Sequence, residues 1–343
     1  MVTDDNAADR LPGRREPNSH CVRSSQDAPV PSSAATDLRA AGRGARRSGR
    51  GIRRHWRATP WLFLLPGLAI TLLFSLYPFV NTIILAFTDA QVLGGGNFTG
   101  GANFSRMLHD PQFWTALRNS ALYVVGVVPF LVLLPLLLAM LVQRHIPGIA
   151  FFRAAFYTPV VASVVVVGLI WTWLLDSRGL VNSVLKALHV VSEPVPFLTD
   201  ETLLLISAML VTIWKGLGYY MIVYLAALAN VPRDLHEAAE VDGAGPVRRF
   251  FSVTVPAIRP TMVLVGALSA VAAFRVFSEI YILSGSSGGP AGADISLVML
   301  IRQVGTGLNG ELGYSSALSV VLFVLTLGLM LLTMRLNKNE EVA

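Results

Sequence analysis

The sequence predicts an all-α integral membrane protein that crosses the bilayer six times, and three observations lead to that fold class. Of its 343 residues, 53% are hydrophobic and 14% are charged, which is too apolar for a water-soluble domain of this length. Apolar runs recur that are long enough, at about 20 residues, to cross a hydrocarbon core. The formal net charge of +6 is concentrated ahead of the first run, so it indicates membrane topology rather than nucleic-acid binding.

The chain is predicted to have a disordered basic cytoplasmic tail, 1–58, and a six-helix transmembrane domain, 59–337. The tail is rich in Arg, Ser, Gly, Pro and Ala, so it cannot bury enough apolar surface to offset the entropy of ordering. The apolar run that follows it is too long for a signal peptide and is interpreted as a span. The lone Cys21 excludes an internal disulfide and a thiolate metal cluster.

Six apolar segments are predicted to be the transmembrane helices. Pro129, Pro135 and Pro159 lie inside the second and third, where neighbouring helices can satisfy the carbonyl groups that a proline frees, so kinks are expected. The segments are Trp61–Phe87, Leu117–Leu141, Ala154–Leu175, Leu203–Ala229, Thr261–Leu283 and Tyr314–Met334.

The distribution of Lys and Arg predicts the orientation, because cationic loops stay in the cytoplasm. Cations crowd the segments before the first span, after the second and fourth spans, and at the end of the chain. They are Arg53, Arg54, Arg57, Arg144, Arg153, Arg233, Arg248, Arg249, Arg259, Arg335 and Lys338. The opposite loops carry fewer, more scattered cations. Both termini and the loop between the fourth and fifth spans are therefore expected in the cytoplasm.

That loop, residues 230–260, is predicted to form a helix, a turn and a second helix. Asp234 is expected to cap the first helix, over Leu235–Val241. Gly243 suits a left-handed turn that a side chain would penalise, and Pro246 fits the first turn of a helix. The second helix carries Arg248, Arg249, Phe250 and Phe251.

The loop resembles the EAA motif of ABC-importer permeases. The residues that carry the resemblance are Glu237-Ala238-Ala239, then Asp242-Gly243-Ala244, then Pro256 and Pro260. In that family the loop docks into a cleft of the ATPase subunit. The resemblance therefore implies an ATPase-coupling role for Glu237, Ala238, Ala239, Asp242 and Gly243, with Arg248 and Arg249 on the second helix.

The loop sequence allows two other interpretations. It could be a solvated amphipathic segment that its arginines attract to anionic lipid. His236-Glu237 followed by Glu240 also partly imitates a zinc-binding helix, but the second His of that pattern is absent.

The resemblance to the sugar-importer branch of these permeases extends from about Pro60 to Leu336. It rests on Tyr77-Pro78, Phe151–Pro159, Trp214–Tyr219 and Gly288-Gly289-Pro290. It implies one permease subunit of a carbohydrate importer in the bacterial cytoplasmic membrane. The partners it implies are a second, distinct permease, an ATPase dimer and an extracytoplasmic solute-binding protein.

No cofactor is expected in this chain. The sequence has no GxxxxGK(S/T), the motif with which a P-loop cradles phosphates. ATP and Mg²⁺ are therefore expected in the partner ATPase. A nucleic-acid partner is not expected, whereas membrane lipid is.

Lys215, Arg275 and Glu279 are ionisable residues within predicted spans, where charges are costly and are expected to face protein or a water-filled path. Tyr219 and Tyr220 lie about one turn from Lys215 and add rings and hydroxyls suited to a polyol. These five are the predicted substrate-path residues. The alternatives are an internal Arg275–Glu279 ion pair, four residues apart on one helix face, and interhelical packing of the tyrosines.

The sequence also bears on two other functional classes and on the choice of solute. A secondary transporter needs no coupling loop, and a membrane enzyme needs a catalytic constellation that is not found here. A glycerol-3-phosphate importer shares nearly the same permease pattern, so the exact solute is undecided. The Gly/Ser-rich segment Ser284–Gly292 is interpreted as a flexible external loop or a docking surface for the binding protein.

Overall fold

The computed structural model describes residues 59–143 and 147–338. The predicted tail, 1–58, and Arg144 of the orientation argument lie outside these ranges. The chain divides into two units, 1–65 and 66–343, and the second contains every element beyond the first turns of the first helix.

The described residues form helices joined by short loops, without a β-strand among them. Helix α1, Thr59–Thr71, continues through a π-helical turn, Leu72–Leu76, into α2, Tyr77–Leu85. The other helices are α3, Ala102–His109; α4, Pro111–Val142; α5, Ile149–Val161; α6, Val164–Leu175; α7, Leu180–Ala187; α8, Glu201–Ala229; α9, Arg233–Val241; α10, Pro246–Arg249; α11, Val255–Phe274; α12, Ser278–Leu283; α13, Leu297–Gly305; and α14, Leu312–Lys338.

Six helical segments of the described chain are long and apolar enough to cross a membrane, which confirms the predicted number. The third of them counts α6 and α7 together, and the shorter apolar helix α5 precedes it. The segments are Trp61–Leu85, Pro111–Val142, Val164–Ala187, Glu201–Ala229, Pro246–Phe274 and Leu312–Arg335.

The two longest helices start at aspartates that satisfy otherwise unpaired backbone N–H groups. Asp110 accepts a hydrogen bond from the backbone N–H of Gln112, at 2.9 Å, at the start of α4. Asp200 accepts from the N–H groups of Thr202 and Leu203, at 3.0 and 2.9 Å, at the start of α8. Both helix starts are thereby fixed by the local sequence.

Helix α4 is central to the second unit, because it packs against both α8 and α11. Tyr123 of α4, Met221 and Tyr224 of α8, and Val265 of α11 are fully buried in this core. Large apolar side chains on the outer faces are exposed instead; Val125 and Leu141 of α4, for example, are 71% and 73% exposed. Helices that are apolar all round and expose such surface are typical of a bilayer.

Two predicted spans are interrupted rather than continuous. The third breaks at Ala162 and Ser163, which take extended backbone conformations between α5 and α6. The fifth was predicted to run to Leu283, and this was wrong: α11 ends at Phe274, and α12 begins after a break at 275–277. Helix α12 packs against α6, so the second half of one interrupted span lies against the second half of the other.

Close packing of α8 on α5 depends on Gly218, because a Cβ there would overlap the carbonyl oxygen of Phe156. We expect Gly218→Ala to destabilise the chain by about 1–3 kcal/mol, since backbone atoms must move to admit the methyl group. Gly266→Ala is the matched control, because its Cβ would meet Val132 at an ordinary 3.7 Å. Thermal unfolding of the purified protein measures both, and equal melting temperatures would contradict this packing.

Candidate functional site

The five predicted substrate-path residues line one cavity of about 330 Å³ in the second unit. The cavity lies where α8 passes Val160 of α5 and the break in the fifth span. Its lining includes Tyr123, Val160, Thr212, Lys215, Gly216, Tyr219, Tyr220, Ser269, Arg275, Val276, Phe277, Ser278 and Glu279. Irregular backbone at membrane depth is tolerated where it lines such a cavity, which accounts for the break at 275–277.

Lys215 lies at the midpoint of α8, fourteen residues from Glu201 (215 − 201) and fourteen from Ala229 (229 − 215). It is partly exposed in the isolated chain. Within residues 59–143 and 147–338 its side chain has no hydrogen bond or ion pair. A cation at this depth without a protein partner is costly unless it faces water or a ligand.

Arg275 and Glu279 do not share one helix face, because the chain leaves the helix between them. Arg275 is the first residue after α11, whereas Glu279 lies in the first turn of α12. No Arg275–Glu279 ion pair is present in the described part of the chain, where the ion pairs are Arg106–Glu311 and Arg249–Glu240. The i,i+4 pair considered from the sequence required a continuous helix, which the structure does not have.

The cavity also presents aromatic rings and hydroxyl groups. Tyr219 and Tyr220 form an edge-to-face pair with ring centroids 5.1 Å apart; Tyr220 is buried and Tyr219 is 47% exposed. The buried Tyr123 hydroxyl donates to the carbonyl of Ala208 at 2.8 Å and lies 2.6 Å from the Thr212 hydroxyl. The wall is therefore ordered by hydrogen bonds on one side and offers an exposed ring on the other.

Sequence reasoning missed five polar or aromatic residues of the lining, namely Tyr123, Thr212, Ser269, Phe277 and Ser278. Tyr123 and Thr212 carry a signal, since polar side chains inside apolar spans are candidates for interior positions. Ser269 carries the same signal, because it lies inside α11. Phe277 and Ser278 depend on the break in the fifth span, which no Gly or Pro marks in the sequence.

The loop between the fourth and fifth spans has the predicted helix-turn-helix form. Helix α9 ends in a left-handed turn at Gly243, where φ is +76°, and Pro246 occupies the first turn of α10. The backbone N–H of Ala244 donates to the carbonyl of Ala239 at 2.9 Å and closes the turn. The prediction that Asp234 caps α9 was wrong: Pro232 holds the cap position without a side-chain hydrogen bond, and Asp234 lies in the first turn.

The predicted coupling residues lie on the surface of this loop. Glu237, Ala238, Asp242 and Gly243 are exposed, and Ala239 is partly exposed. Arg249 pairs with Glu240 at 2.8 Å and ties α10 back to α9, while Arg248 is exposed. Among the described residues no group of three or more His, Cys, Asp and Glu side chains is placed to hold a metal ion.

The second helix of the loop does not end there, which differs from the short hairpin expected from the sequence. It continues through a π-helical turn, Phe250–Thr254, directly into α11. A single helical segment, Pro246–Phe274, thus connects the loop to the break at Arg275 in the cavity wall.

Comparison with known proteins identifies the family. Residues 56–339 match the family described as binding-protein-dependent transport system inner membrane component. The chain belongs to this family. As a binding-protein-dependent permease it is a multi-pass membrane subunit of an ABC importer, which agrees with the six membrane-length helices.

Relatives of this permease include transport proteins for small carbohydrates. It is 30% identical over 273 residues to the lactose transport system permease protein LacF of Rhizobium radiobacter, covering 79% of this chain and 91% of LacF. It is 31% identical to the arabinooligosaccharides transport system permease protein AraP of Bacillus subtilis, covering 82% of this chain and 89% of AraP.

A solved structure shares the fold of the permease. It is the crystal structure of a bacterial ABC transporter involved in the import of the acidic polysaccharide alginate. The TM-score is 0.69 at 25% identity, and the match covers 82% of this chain and 95% of that chain.

The unpaired state of Lys215 has a measurable consequence for stability. Replacing it with the similarly long, uncharged Met should raise the free energy of unfolding by on the order of 1 kcal/mol, because a costly charge at membrane depth is removed. Thermal unfolding of the purified permease measures the change, and Lys186→Met on the exposed surface of α7 is the control. A lower melting temperature for Lys215→Met would indicate a structural ion pair instead.

Proposed function

We propose that this permease conducts a carbohydrate through the cavity at the helix breaks and that its 230–260 loop couples the movement to a separate ATPase. The observation that carries the proposal is the set of three charged side chains, Lys215, Arg275 and Glu279, which line the cavity without pairing with one another. Charged side chains that do not pair with one another can form hydrogen bonds with a solute.

The chemistry of the lining supports a carbohydrate. Sugar hydroxyls both donate and accept hydrogen bonds, so cations and a carboxylate on one wall can each be satisfied. The exposed ring of Tyr219 offers an apolar surface to the C–H face of a sugar. The named relatives for lactose and arabinooligosaccharides agree with this class and do not favour the glycerol-3-phosphate alternative.

A second permease subunit is proposed to cover the open side of the cavity. Lys215 is only partly buried although it lies at the midpoint of a membrane-length helix. A charge there must face protein or water rather than lipid. A partner subunit of similar fold supplies such a covering, and the resemblance to sugar importers favours a distinct chain over a second copy.

The α9–α10 loop is proposed to dock into the ATPase. Its small residues Ala238 and Ala239 permit close approach, and the exposed carboxylate of Glu237 can accept hydrogen bonds from a cation or backbone N–H in a cleft. Arg248 is exposed beside it, and Arg249 stiffens the turn through Glu240. ATP and Mg²⁺ would be bound by the partner, since this sequence has no P-loop motif.

The proposed setting is the bacterial cytoplasmic membrane, with both termini and the α9–α10 loop in the cytoplasm. The Ser284–Gly292 segment follows α12 at the opposite end of the fifth span from that loop. It would then face the extracytoplasmic binding protein on which this family depends.

The substrate path is tested by neutralising its charges in the assembled complex. Lys215→Met or Glu279→Gln should weaken apparent solute affinity, or slow uptake, by roughly tenfold to a hundredfold, the equivalent of about 1.5–3 kcal/mol for a charged hydrogen bond. Uptake by proteoliposomes is measured with the carbohydrate held by the copurified binding protein.

Two outcomes decide whether these charges contact the solute. Full uptake in assembled Lys215→Met and Glu279→Gln complexes would place the path elsewhere. Recovery of uptake in the Arg275 and Glu279 double variant, relative to either single change, would indicate that the two charges neutralise each other in the complex.

Coupling is tested at the left-handed turn. Gly243→Val places a β-branched side chain at a φ of +76°, so the turn between α9 and α10 must change shape. We expect solute-stimulated ATP hydrolysis and ATPase retention to fall together, as for Glu237→Ala, while the spans stay folded. Gly245→Ala is the control, because φ there is −67° and a Cβ meets open space. Unchanged hydrolysis in the Gly243 and Glu237 variants would contradict the docking role.

A further inference from the structure

A buried carboxyl group lies in the segment between α12 and α13, outside the site described so far. Asp294 is 3% exposed, and its Oδ2 atom is buried without a hydrogen-bond partner in the described part of the chain. The backbone N–H of Asp294 donates to the carbonyl of Gly288 at 2.8 Å. Its side chain lies against Gly289, where φ is +85° and a Cβ would overlap Oδ2. The segment is therefore folded tightly around this group.

The charged groups that act on Asp294 are themselves acidic. Burial is the first cause that raises its pKa, to about 7, and the nearby carboxylates of Glu201 and Asp200 at the start of α8 raise it further. Helix α13 carries one charged residue, Arg302, whose guanidinium lies over the ring of Tyr281 at 4.2 Å instead. The α4 side chains that hydrogen-bond to the segment and to Leu297 just after it, Asn119 and Ser120, are neutral, and the one cation of α4, Arg118, is exposed. The surroundings therefore favour the protonated carboxyl.

Hydrogen bonds connect this segment to the cavity wall. The side-chain amide of Asn119 on α4 donates to the carbonyls of Ala293 and Ile295, at 2.6 and 3.1 Å, on either side of Asp294. Two residues later, the buried hydroxyl of Ser296 donates to the carbonyl of Val276 at 2.6 Å. Val276 lies in the break of the fifth span and lines the cavity. A conformational change around Asp294 can therefore reach Val276 in the cavity wall through Ser296, two residues away.

We propose that Asp294 is a positioning residue whose neutral carboxyl keeps the 288–296 segment folded against α4 and holds the cavity wall at Val276 in place. Loss of the proton leaves a buried, unpaired charge facing two other carboxylates, which favours opening of the segment. The consequence for transport rests on the solute role proposed for the cavity. The acid response of the segment does not depend on that solute role.

The direction of the pH dependence follows from the raised pKa. The folded segment holds its proton up to about pH 7, whereas an open, solvated aspartate releases it near its ordinary 3.8. The folded arrangement is therefore most favoured in acid and loses stability as pH rises from the ordinary value towards 7. Above about pH 7 the loss of stability is complete and does not increase further.

The experiment follows the mobility of a spin label on the segment in the assembled complex in lipid nanodiscs. The label is attached at Ser287→Cys, on the exposed tip of the segment, in a Cys21→Ser background. As pH rises from about 4 to about 8 the label should change from restricted to mobile, with a midpoint between 3.8 and about 7 and no further change above that range. Asp294→Asn should stay restricted throughout, because its amide cannot ionise.

Two further variants keep the proposal falsifiable if Asp294→Asn fails to assemble. Glu201→Gln removes a neighbouring negative charge and should lower the midpoint, whereas Glu193→Gln, an exposed acid that does not act on Asp294, should leave it unchanged. Absence of a transition, its persistence in Asp294→Asn, or an unaltered midpoint in Glu201→Gln would overturn the proposal. A normal transition together with full uptake in the Lys215 variant would refute the solute path and leave the Asp294 response standing.

Discussion

Backbone N–H and C=O groups cannot remain unpaired in hydrocarbon, and this requirement decides where the two interrupted spans of the permease can lie. The interruption of the fifth span meets protein. The break at 275–277 is held by the Ser296 hydroxyl, which bonds the carbonyl of Val276, and by packing of α12 on α6. The break at Ala162 and Ser163 is one residue beyond α5, which packs on α8. The cavity is the space that the break at 275–277 leaves beside α8, with Val160 of α5 in its wall.

The same architecture connects the cavity to the surface loop. One helical segment, Pro246–Phe274, runs from the turn after Gly243 to the break at Arg275. A displacement of the loop therefore has a direct mechanical route to the cavity wall, since a helix transmits motion along its axis better than a flexible linker does. The Arg249–Glu240 pair links α10 to α9. This route supports the proposed coupling between ATP hydrolysis and solute movement.

Much of this arrangement could be predicted from the sequence, because length and hydropathy determine spans and special backbone geometry selects Gly and Pro. The six spans, the left-handed Gly243 and the helix start at Pro246 follow from those rules. The break after Phe274 could not be predicted, since residues 275–277 are ordinary helix formers and tertiary packing interrupts them. Asp234 failed as a cap because the helix begins at Arg233, with Pro232 in the cap position two residues before Asp234. No sequence pattern marks Asp294, and only the fold shows that it is buried.

The central proposal is that Lys215, Arg275 and Glu279 bind a solute rather than pair with one another. A structure of the assembled importer with hydrolysis blocked and its carbohydrate trapped tests this most directly. The account predicts the sugar in the cavity, with Lys215 or Glu279 within hydrogen-bond distance of its hydroxyls and the Tyr219 ring against it. A carbohydrate bound away from these residues, with Lys215 and Glu279 paired to protein groups, would contradict it.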